Sequence, residues 1–173
     1  MNFYPIVCDN LYSSIPTSFF YTQNTANKTN YLIENHFTTI IEFSLNIENS
    51  EDKNPVFQQE MKSFLEQKDY KINFSFFKIS NDFYTDFKKM DEIINFIDKL
   101  ISQNEKIHLH SENDDKIVGS ILACYLLKNQ VVDLIDVFGY INYLRSLSRQ
   151  NEKELIFDQD QINFIIQYDK FLN

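Results

Sequence analysis

Three times along this sequence, a short run of β-branched or aromatic residues is followed by a longer segment whose apolar residues have helical spacing. The short runs are residues 37–45, 71–79 and 106–110, and the helical segments are residues 55–68, 84–103 and 117–129. Runs of this composition are typical of buried strands, and helices between strands are typical of parallel sheets. The sequence therefore predicts an α/β fold, in which helices flank a mainly parallel central sheet, as a single domain over residues 1–173.

The remaining segments fit the same pattern. They predict an extended segment at 5–16, a surface loop at 46–54, and further helices at 28–36, about 131–148 and 159–172. Asn54 before Pro55 is a typical helix start, and Asp158 is the predicted N-cap of the last helix. The two glycines are Gly119 and Gly139, so few backbone positions can adopt a positive φ at low cost.

Charge and hydrophobicity exclude several classes of protein. The sequence has 16 basic and 25 acidic residues, a formal net charge of -9. Long-range repulsion from such a surface disfavours nucleic acids and anionic membranes as partners. Hydrophobic residues make up 43% of the chain, which excludes a disordered segment. No stretch approaches the run of about 18 apolar residues that a membrane helix needs, and residues 1–10 lack the basic start of a signal peptide.

Cys8 and Cys124 are far apart in the sequence and lie in apolar surroundings. Both thiols are predicted to be free and reduced, which is typical of a cytosolic protein. Cys124 lies in the apolar run LACYLL, so it is predicted to be a small core residue rather than a nucleophile. Four phenylalanines are likewise predicted to lie in the core or at an interface rather than to form a platform for a nucleotide: Phe74, Phe76, Phe77 and Phe83.

One strand–turn–helix junction is unusual in its charge. Residues 106–129, KIHLHSENDDKIVGSILACYLLKN, begin like a buried strand and end like a buried helix, with the acidic turn ENDD between them. Ligand sites in parallel α/β folds lie at the carboxyl ends of strands, and the start of a helix there favours anions. Three carboxylates in that place would repel a phosphate. The junction therefore has the framework of an anion site without its chemistry.

The same junction resembles the signature loop of the protein tyrosine phosphatase superfamily, in particular its dual-specificity branch. That family has a strand, His-Cys, five loop residues, Arg, Ser or Thr, and then a helix. In this sequence His110 stands at the histidine position, Ser111 at that of the cysteine nucleophile, and residues 112–116 at the five loop positions. Ile117 stands where the family has arginine, and Val118 stands where it has Ser or Thr.

The resemblance extends over nearly the whole chain in order. Residues 119–127, GSILACYLL, are similar to the family's helix after the loop, and residues 10–16, NLYSSIP, to its opening segment. Residues 31–45 resemble the helix and strand that follow, and residues 157–172 resemble the closing Q-x-x-F-L-x-x-Y helix. Asp82 lies near the place of the general-acid loop, although, since SND precedes a helix, it is more simply an N-cap or a surface acid. The resemblance implies the dual-specificity phosphatase fold.

The residues that differ are those that the family's chemistry needs. A low-pKa thiol is ionised at neutral pH and attacks phosphorus, whereas the hydroxyl of Ser111 is not ionised. The family's arginine grips two phosphate oxygens with paired donors, and Ile117 has no donor. We therefore interpret the chain as a pseudophosphatase without a cofactor, a structural or interaction subunit of a larger assembly. The alternative is a residual or altered hydrolase, or a binder of a phosphorylated ligand, that works through Ser111.

A metal site is a further alternative. His108 and His110 alternate onto one face of their strand, and Glu112, Asp114 and Asp115 follow in the turn. A His-x-His pair with nearby carboxylates is a legitimate ligand set for a divalent metal. The simpler interpretation is a pair of core histidines whose hydrogen bonds are satisfied, beside a solvated acidic turn.

If catalysis is lost, the fold is retained for its surface. The net charge of -9 favours protein partners with Lys- and Arg-rich patches. The predicted contacts are the acids of the surface loop and of the turn: Glu48, Glu51, Asp52, Glu112, Asp114 and Asp115. By analogy, degenerate domains of this kind occur in large assemblies that include ciliary microtubule structures. The expected location is the cytoplasm and, more specifically, the cytoskeleton or the cilium.

Overall fold

A computed structural model describes residues 4–5, 11–13, 25–45, 56–79, 86–111, 115–148 and 157–173. These segments contain five strands: β1 (Tyr4–Pro5), β2 (Leu11–Ser13), β3 (Thr39–Leu45), β4 (Asn73–Ile79) and β5 (Ile107–Ser111). They also contain six helices: α1 (Thr25–Glu34), α2 (Val56–Gln67), α3 (Phe87–Ser102), α4 (Asp115–Lys128), α5 (Val137–Ser148) and α6 (Gln159–Leu172). The predicted alternation is confirmed. None of these helices has the length and apolar character needed to cross a membrane.

The five strands form one sheet in the order β1-β2-β5-β3-β4. β2, β5, β3 and β4 are parallel, and β1 pairs antiparallel with β2. β3 has a continuous register with both neighbours, so that Ile41 lies opposite Leu109 on one side and Ser75 on the other. The predicted mainly parallel sheet is therefore confirmed. The carboxyl ends of its central strands share one end of the sheet, where ligand sites of such folds lie.

Two hydrophobic cores cover the two faces of the sheet. On the first face, α3, α4, α5 and α6 pack over sheet residues such as Ile41 and Leu109. On the second face, α1 and α2 pack over Ile40 through residues such as Leu32 and Met61. Successive residues of a strand point to opposite faces, so the neighbours Ile40 and Ile41 belong to different cores.

Four helices end in the same type of turn without using glycine. The residues with positive φ after α1, α2, α3 and α4 are His36, Asp69, Asn104 and Gln130. After α1, the N–H of His36 donates to the C=O of Ile33, and the N–H of Phe37 donates to the C=O of Leu32. This is the Schellman pattern, in which glycine is the usual residue. The left-handed conformation costs a non-glycine residue on the order of 1 kcal/mol, so these turns lower the stability of the fold.

The helix starts confirm one predicted cap and correct another. Asp158 caps α6 as predicted, because its Oδ1 accepts from the N–H of Gln161, whose side chain accepts from the N–H of Asp158. α3 begins at Phe87 with Asp86 as its N-cap, so the prediction that Asp82 caps this helix is wrong. The oxygen of Asp86 accepts from the N–H of Lys89, which is the bond a cap must make.

The predicted start of α5 at about residue 131 is also wrong. Gln130, two residues after the end of α4, has a φ of 54°, and turns occupy the residues before Val137, where α5 begins. In these turns the N–H of Asp136 and that of Val137 both donate to the C=O of Asp133. The apolar residues of this connection, among them Ile135, imitate a helical period. The predicted Asn54 start of α2 and the predicted loop at 46–54 lie outside the described residues.

Polar bonds at the rim of the first face join α3, α4 and α6. Lys128 Nζ donates to Asp91 Oδ1 at 2.6 Å and to Asn95 Oδ1 at 2.8 Å. The hydroxyl of Tyr168 donates to the same oxygen of Asp91 at 3.1 Å. The bond from Lys128, with smaller contributions from Tyr168 and Asn95, holds the pKa of Asp91 below its ordinary value. This network joins α3 and α6 to the C-terminal end of α4, of which Lys128 is the last residue.

Candidate functional site

The junction of β5 and α4 is the candidate site, because it lies at the carboxyl end of a central parallel strand. β5 lies between β2 and β3, so neighbouring strands cover both of its sides. His110 and Ser111 end the strand, and they are 4% and 1% exposed. In the register with β3, His110 lies opposite Glu42 and Ser111 lies opposite Phe43.

His110 and Ser111 project to opposite faces of the sheet. Strand alternation places Ser111 on the first face, with Ile107 and Leu109, and places His110 on the second face, with His108. The two histidine rings stack with their centroids 6.0 Å apart, as expected for residues that share a face. The strand itself therefore separates the hydroxyl of Ser111 from the imidazole of His110.

α4 carries Ile117 and Val118 into the core of the first face. Ile117 is 1% exposed and Val118 is fully buried, and both belong to the same cluster as Ile121. The helix packs against β5, α3, α5 and α6, which explains why nearly all of its sides are apolar. Neither the side chain of Ile117 nor that of Val118 has a hydrogen-bond donor for a ligand at the junction.

Burial keeps both histidines of the strand uncharged at neutral pH. Burial, with a smaller effect of the charge of Lys28, lowers the pKa of His110 to about 4. Burial, with a smaller effect of His110, lowers the pKa of His108 well below its ordinary value. The ring of Phe37 meets that of His108 edge-on, with centroids 5.8 Å apart. Both histidines are buried core residues, as predicted, but within the described part of the chain the Nδ1 atoms of both rings lack the hydrogen bond that was also expected.

The sequence analysis missed two buried charged residues beside these histidines. Glu42 of β3 is 3% exposed, and Lys28 of α1 is 7% exposed. Glu42 lies opposite His110 in the sheet, and Lys28 is near enough for its charge to act on His110. The available signal was the glutamate within the run TTIIEFSL, because an ionisable residue in a buried strand needs a compensating partner.

Several predicted site residues lie outside the described residues: Asp82, Glu48, Glu51, Asp52, Glu112 and Asp114. Asp115 begins α4, and only its backbone is described. Within the described part of the chain, no three side chains of His, Cys, Asp or Glu are arranged to hold a metal ion. The metal hypothesis for His108 and His110 therefore stays a prediction, as do the acidic partner contacts.

Cys124 is a core residue, as predicted. It is fully buried, and burial raises the pKa of its thiol well above the ordinary value. Of the predicted core or interface aromatics, Phe74 packs against the core of the second face and Phe77 against that of the first. Phe76 is 45% exposed. Cys8 and Phe83 lie outside the described residues.

The sequence matches no protein-family model and none of the curated proteins with which it was compared. Solved structures share its fold. The human tyrosine phosphatase-like serine/threonine/tyrosine-interacting protein is 18% identical over 84% of each chain, with a TM-score of 0.59. A kinase associated phosphatase, with serine in place of its catalytic-site cysteine, is 16% identical over 99% of this chain and 94% of its own, with a TM-score of 0.69.

A leucine rich repeat and phosphatase domain containing protein from Entamoeba histolytica has a similar fold. It is 13% identical over 99% of this chain and 92% of its own, with a TM-score of 0.61. At these identities the likeness concerns the fold. The phosphatase fold expected from the order of segments along the sequence is thereby confirmed.

Proposed function

We propose that this chain, which has the fold of the dual-specificity phosphatases, is a pseudophosphatase that serves as an interaction subunit rather than an enzyme. The observation that carries the proposal is the burial of Ile117, which is 1% exposed within the core of the first face. By resemblance, this residue stands where an active phosphatase has the arginine that grips phosphate. Hydrocarbon packing thus takes the place of the cation, and a guanidinium there would have to displace part of the core.

The surroundings of Ser111 support the same proposal. A serine attacks phosphorus when a nearby base removes its proton, because its hydroxyl is not ionised at neutral pH. His110, the adjacent candidate base, projects to the opposite face and is a weak base, with its pKa lowered to about 4 by burial. Val118, where the family has Ser or Thr, is fully buried and has no hydroxyl.

The proposed role is protein binding by residues 1–173 acting as one domain. The net charge of -9 favours partners with basic surfaces, met by the acids of residues 48–52 and 112–115. One protein of similar fold is named as a tyrosine phosphatase-like interacting protein, which supports a binding role by analogy. We propose that this assembly is cytoplasmic and, more specifically, cytoskeletal or ciliary.

Phosphatase assays on the whole chain test the loss of catalysis. The substrates are an aryl phosphate and tyrosine-phosphorylated peptides, and the expected rate is that of buffer alone, with Ser111→Ala identical to the wild type. Turnover that disappears in Ser111→Ala would overturn the proposal. Turnover that survives Ser111→Ala but stops with a chelator would instead establish a metal-dependent hydrolase.

Co-purification from the native source tests the binding role. In one variant the turn acids become amides, as Glu112→Gln, Asp114→Asn and Asp115→Asn. A matched control changes three exposed acids elsewhere, as Glu34→Gln, Glu60→Gln and Glu66→Gln. The first variant should recover less partner, and increasing salt should weaken the wild-type interaction. Wild-type recovery by the turn variant would exclude the turn, and a chain found in native extract as a free monomer would contradict the binding role.

A further inference from the structure

The connection between α4 and α5 exposes aliphatic residues. Ile135 is 91% exposed and Val131 is 39% exposed. Their neighbours Val132 and Leu134 pack against the core of the first face, so the connection buries one set of aliphatic side chains and leaves the other in solvent. A single exposed aliphatic side chain is common on protein surfaces, so Ile135 becomes informative only through its neighbours on α5.

Ile135 continues the helical spacing of α5 although it precedes that helix. The N–H of Val137 donates to the C=O of Asp133, which is a bond between residues four apart, as in an α-helix. Ile135, Gly139 and Tyr143 therefore follow one another at intervals of four residues along one side of the helix. Tyr143 is 57% exposed, and Gly139 is exposed as well. The exposed residues thus form one surface rather than scattered positions.

Gly139 leaves a gap between the side chains of Ile135 and Tyr143. A Cβ added to Gly139 would meet no described atom within 4 Å, and this glycine does not have a positive φ. Neither packing nor turn geometry within the described fold therefore requires glycine here, although glycine in a helix costs stability relative to alanine. The close approach of another chain would require it, because a bare Cα lets a partner reach the backbone.

The charge beside this gap is negative. Asp133 and Asp136 are exposed and lie on either side of Ile135 in the sequence. Residues 129–144 contain these two acids and no lysine or arginine. A second copy of the chain, paired about a twofold axis, would bring the same acids of both copies into one interface, where they would repel. A partner with lysine or arginine beside its apolar residues is favoured instead.

We propose that the surface formed by Ile135, Gly139 and Tyr143 binds an amphipathic helix of a partner protein, with basic residues beside its apolar stripe. An apolar side chain of the partner lies over Gly139, between Ile135 and Tyr143. Lysines or arginines of the partner lie beside Asp133 and Asp136. The main-chain groups within a helix are bonded to one another, so this surface receives side chains rather than an added strand.

This surface is separate from the acidic turn of the candidate site. α4 spans Asp115–Lys128, and a helix of that length extends about 21 Å. The turn at 112–115 precedes this helix, whereas the exposed aliphatic residues follow it. The inference rests on the proposed function, since it names a further binding surface for the same class of basic partner.

Binding of labelled peptides to the whole chain, followed by fluorescence anisotropy, tests the inference. The probe is a peptide of about 18 residues, long enough to be helical, with leucine at every third or fourth position and lysine beside this stripe. Its counterpart has glutamate in place of lysine. The lysine peptide should bind at least about tenfold more tightly than the glutamate peptide, because the surface is acidic. No binding of the lysine peptide at millimolar concentration, or equal binding of the two, would overturn the inference.

Substitutions in the chain locate the peptide. Ile135→Arg removes the exposed aliphatic side chain and adds a positive charge, and it should weaken the lysine peptide at least about tenfold. The control is Phe76→Arg, at an aromatic residue of β4 that is 45% exposed, because it alters the net charge equally. This control should leave the affinity within about twofold of the wild type. Equal losses in the two variants would mean attraction by net charge alone and would overturn the inference.

Neutralising the two acids tests the charge. Asp133→Asn with Asp136→Asn should weaken the lysine peptide about tenfold, and asparagine preserves the ability of these positions to cap the turn. The matched control is Glu34→Gln with Glu66→Gln, which removes two exposed charges of α1 and α2. It should leave the affinity within about twofold of the wild type. The same loss in both double variants would contradict a contact at Asp133 and Asp136.

Filling the gap separates binding from folding. Gly139→Gln should keep or raise the melting temperature of the chain, because glutamine favours a helix and the described fold leaves room for it. It should also weaken the lysine peptide about tenfold, because its side chain occupies the gap. Ser63→Gln, at an exposed position of α2, is the control and should leave binding unchanged. Wild-type affinity in Gly139→Gln would overturn the role of the gap.

Thiol labelling tests whether the surface is accessible in the whole chain. A maleimide should label the new thiol of Ile135→Cys at the rate of a cysteine in a short peptide, whereas the buried Cys124 should stay unlabelled. The bound lysine peptide should slow this labelling. Slow labelling without the peptide would mean that another segment of the chain, or a second copy, covers the surface, and would overturn the inference. Peptide binding with measurable phosphatase turnover would contradict the proposed function alone, and inactivity without peptide binding would contradict this inference alone.

Discussion

The two faces of the sheet are covered by different kinds of core. Among the described residues of the first face, the buried polar side chains are neutral, such as Ser111 and the pair in which Gln161 Nε2 donates to Ser120 Oγ at 3.0 Å. On the second face, the buried side chains include ionisable ones, namely Lys28, Glu42, His108 and His110. Both sets are buried to a similar degree, so the difference lies in chemistry rather than in depth.

Under the proposed function, this difference would let the fold persist without a phosphate site. The junction of β5 and α4 faces the hydrocarbon core, in which Ile117 and Val118 contribute to packing. The ionisable residues are on the other side of the sheet, where the strand separates them from Ser111. If the proposed function is correct, core packing by Ile117 has replaced phosphate binding at this position. Changes on the two faces should have different consequences.

The largest effect is expected for Ile117→Arg. A guanidinium in the core of the first face would lack partners, and the free energy of unfolding should fall by more than about 3 kcal/mol. Ile117→Val, which should cost about 1 kcal/mol, gives a folded reference. Ile135→Arg is the matched control, because Ile135 is 91% exposed, and it should change stability by less than about 0.5 kcal/mol. Urea unfolding of the three variants measures this, and equal stability of the two arginine variants would refute the account of the first face.

Acid should destabilise the chain through the second face. The pKa of His110 is lowered to about 4 in the folded state, against about 6.5 unfolded. Its contribution to stability is therefore present above the unfolded value and is lost as the pH falls from about 6.5 to about 4. Between pH 7 and pH 5 the loss from His110 alone should be about 2 kcal/mol. Urea unfolding at both pH values should show this loss of stability in the wild type. The control His36→Asn, which changes an exposed histidine, should show the same loss, and His110→Asn should show a smaller one. An identical loss in His110→Asn would contradict the burial of a neutral imidazole.

A smaller effect is expected for Asp91→Asn at the rim of the first face. The change weakens bonds from Lys128 and Tyr168, and a partly exposed network of this kind should contribute about 1 kcal/mol. The control is Glu92→Gln on the same helix, whose carboxylate is 62% exposed in its pair with Lys89. That control should be nearly neutral. Thermal unfolding measures both, and a larger effect of Glu92→Gln would show that the rim network contributes no more than a surface ion pair.

The smallest effect should be the same on both faces. His36→Gly after α1 and Gln130→Gly after α4 relieve a left-handed non-glycine residue, and each should raise stability by about 0.5–1 kcal/mol. Alanine at either position keeps the strain and should give no gain. A loss of stability in both glycine variants would mean that these turns are not strained.

The sequence predicted the order and type of the elements because apolar spacing depends on burial, which the fold satisfies along nearly every helix. α3 illustrates this, since Met90, Ile93, Ile94 and Ile97 are all buried. The late start of α5 was not predicted, because the exposed Ile135 and Val131 imitate a helical period without being buried. The cap of α3 was misplaced because Asp82 and Asp86 are equally suitable residue types, and the choice between them depends on where packing begins.

The sequence predicted which positions form the candidate site, but it did not predict how they are buried or which residues surround them. Matching HSENDDKIV to a phosphatase loop identified His110, Ser111 and Ile117. Their burial on opposite faces depends on strand register. Lys28 and Glu42 were missed because they are separated in sequence and meet only when α1 packs on the second face.

Phosphatase activity of Ser111→Cys tests the central claim most directly. The change is nearly isosteric and restores the family's nucleophile while leaving Ile117 in the core, so circular dichroism should show a folded chain. Without the arginine, the thiol lacks the positive surroundings that lower its pKa and the donors that stabilise the transition state. We expect hydrolysis of an aryl phosphate by this variant to equal the buffer background. Turnover by Ser111→Cys well above background, and absent from Ser111→Ala, would show a working anion site at the junction and would contradict the pseudophosphatase account.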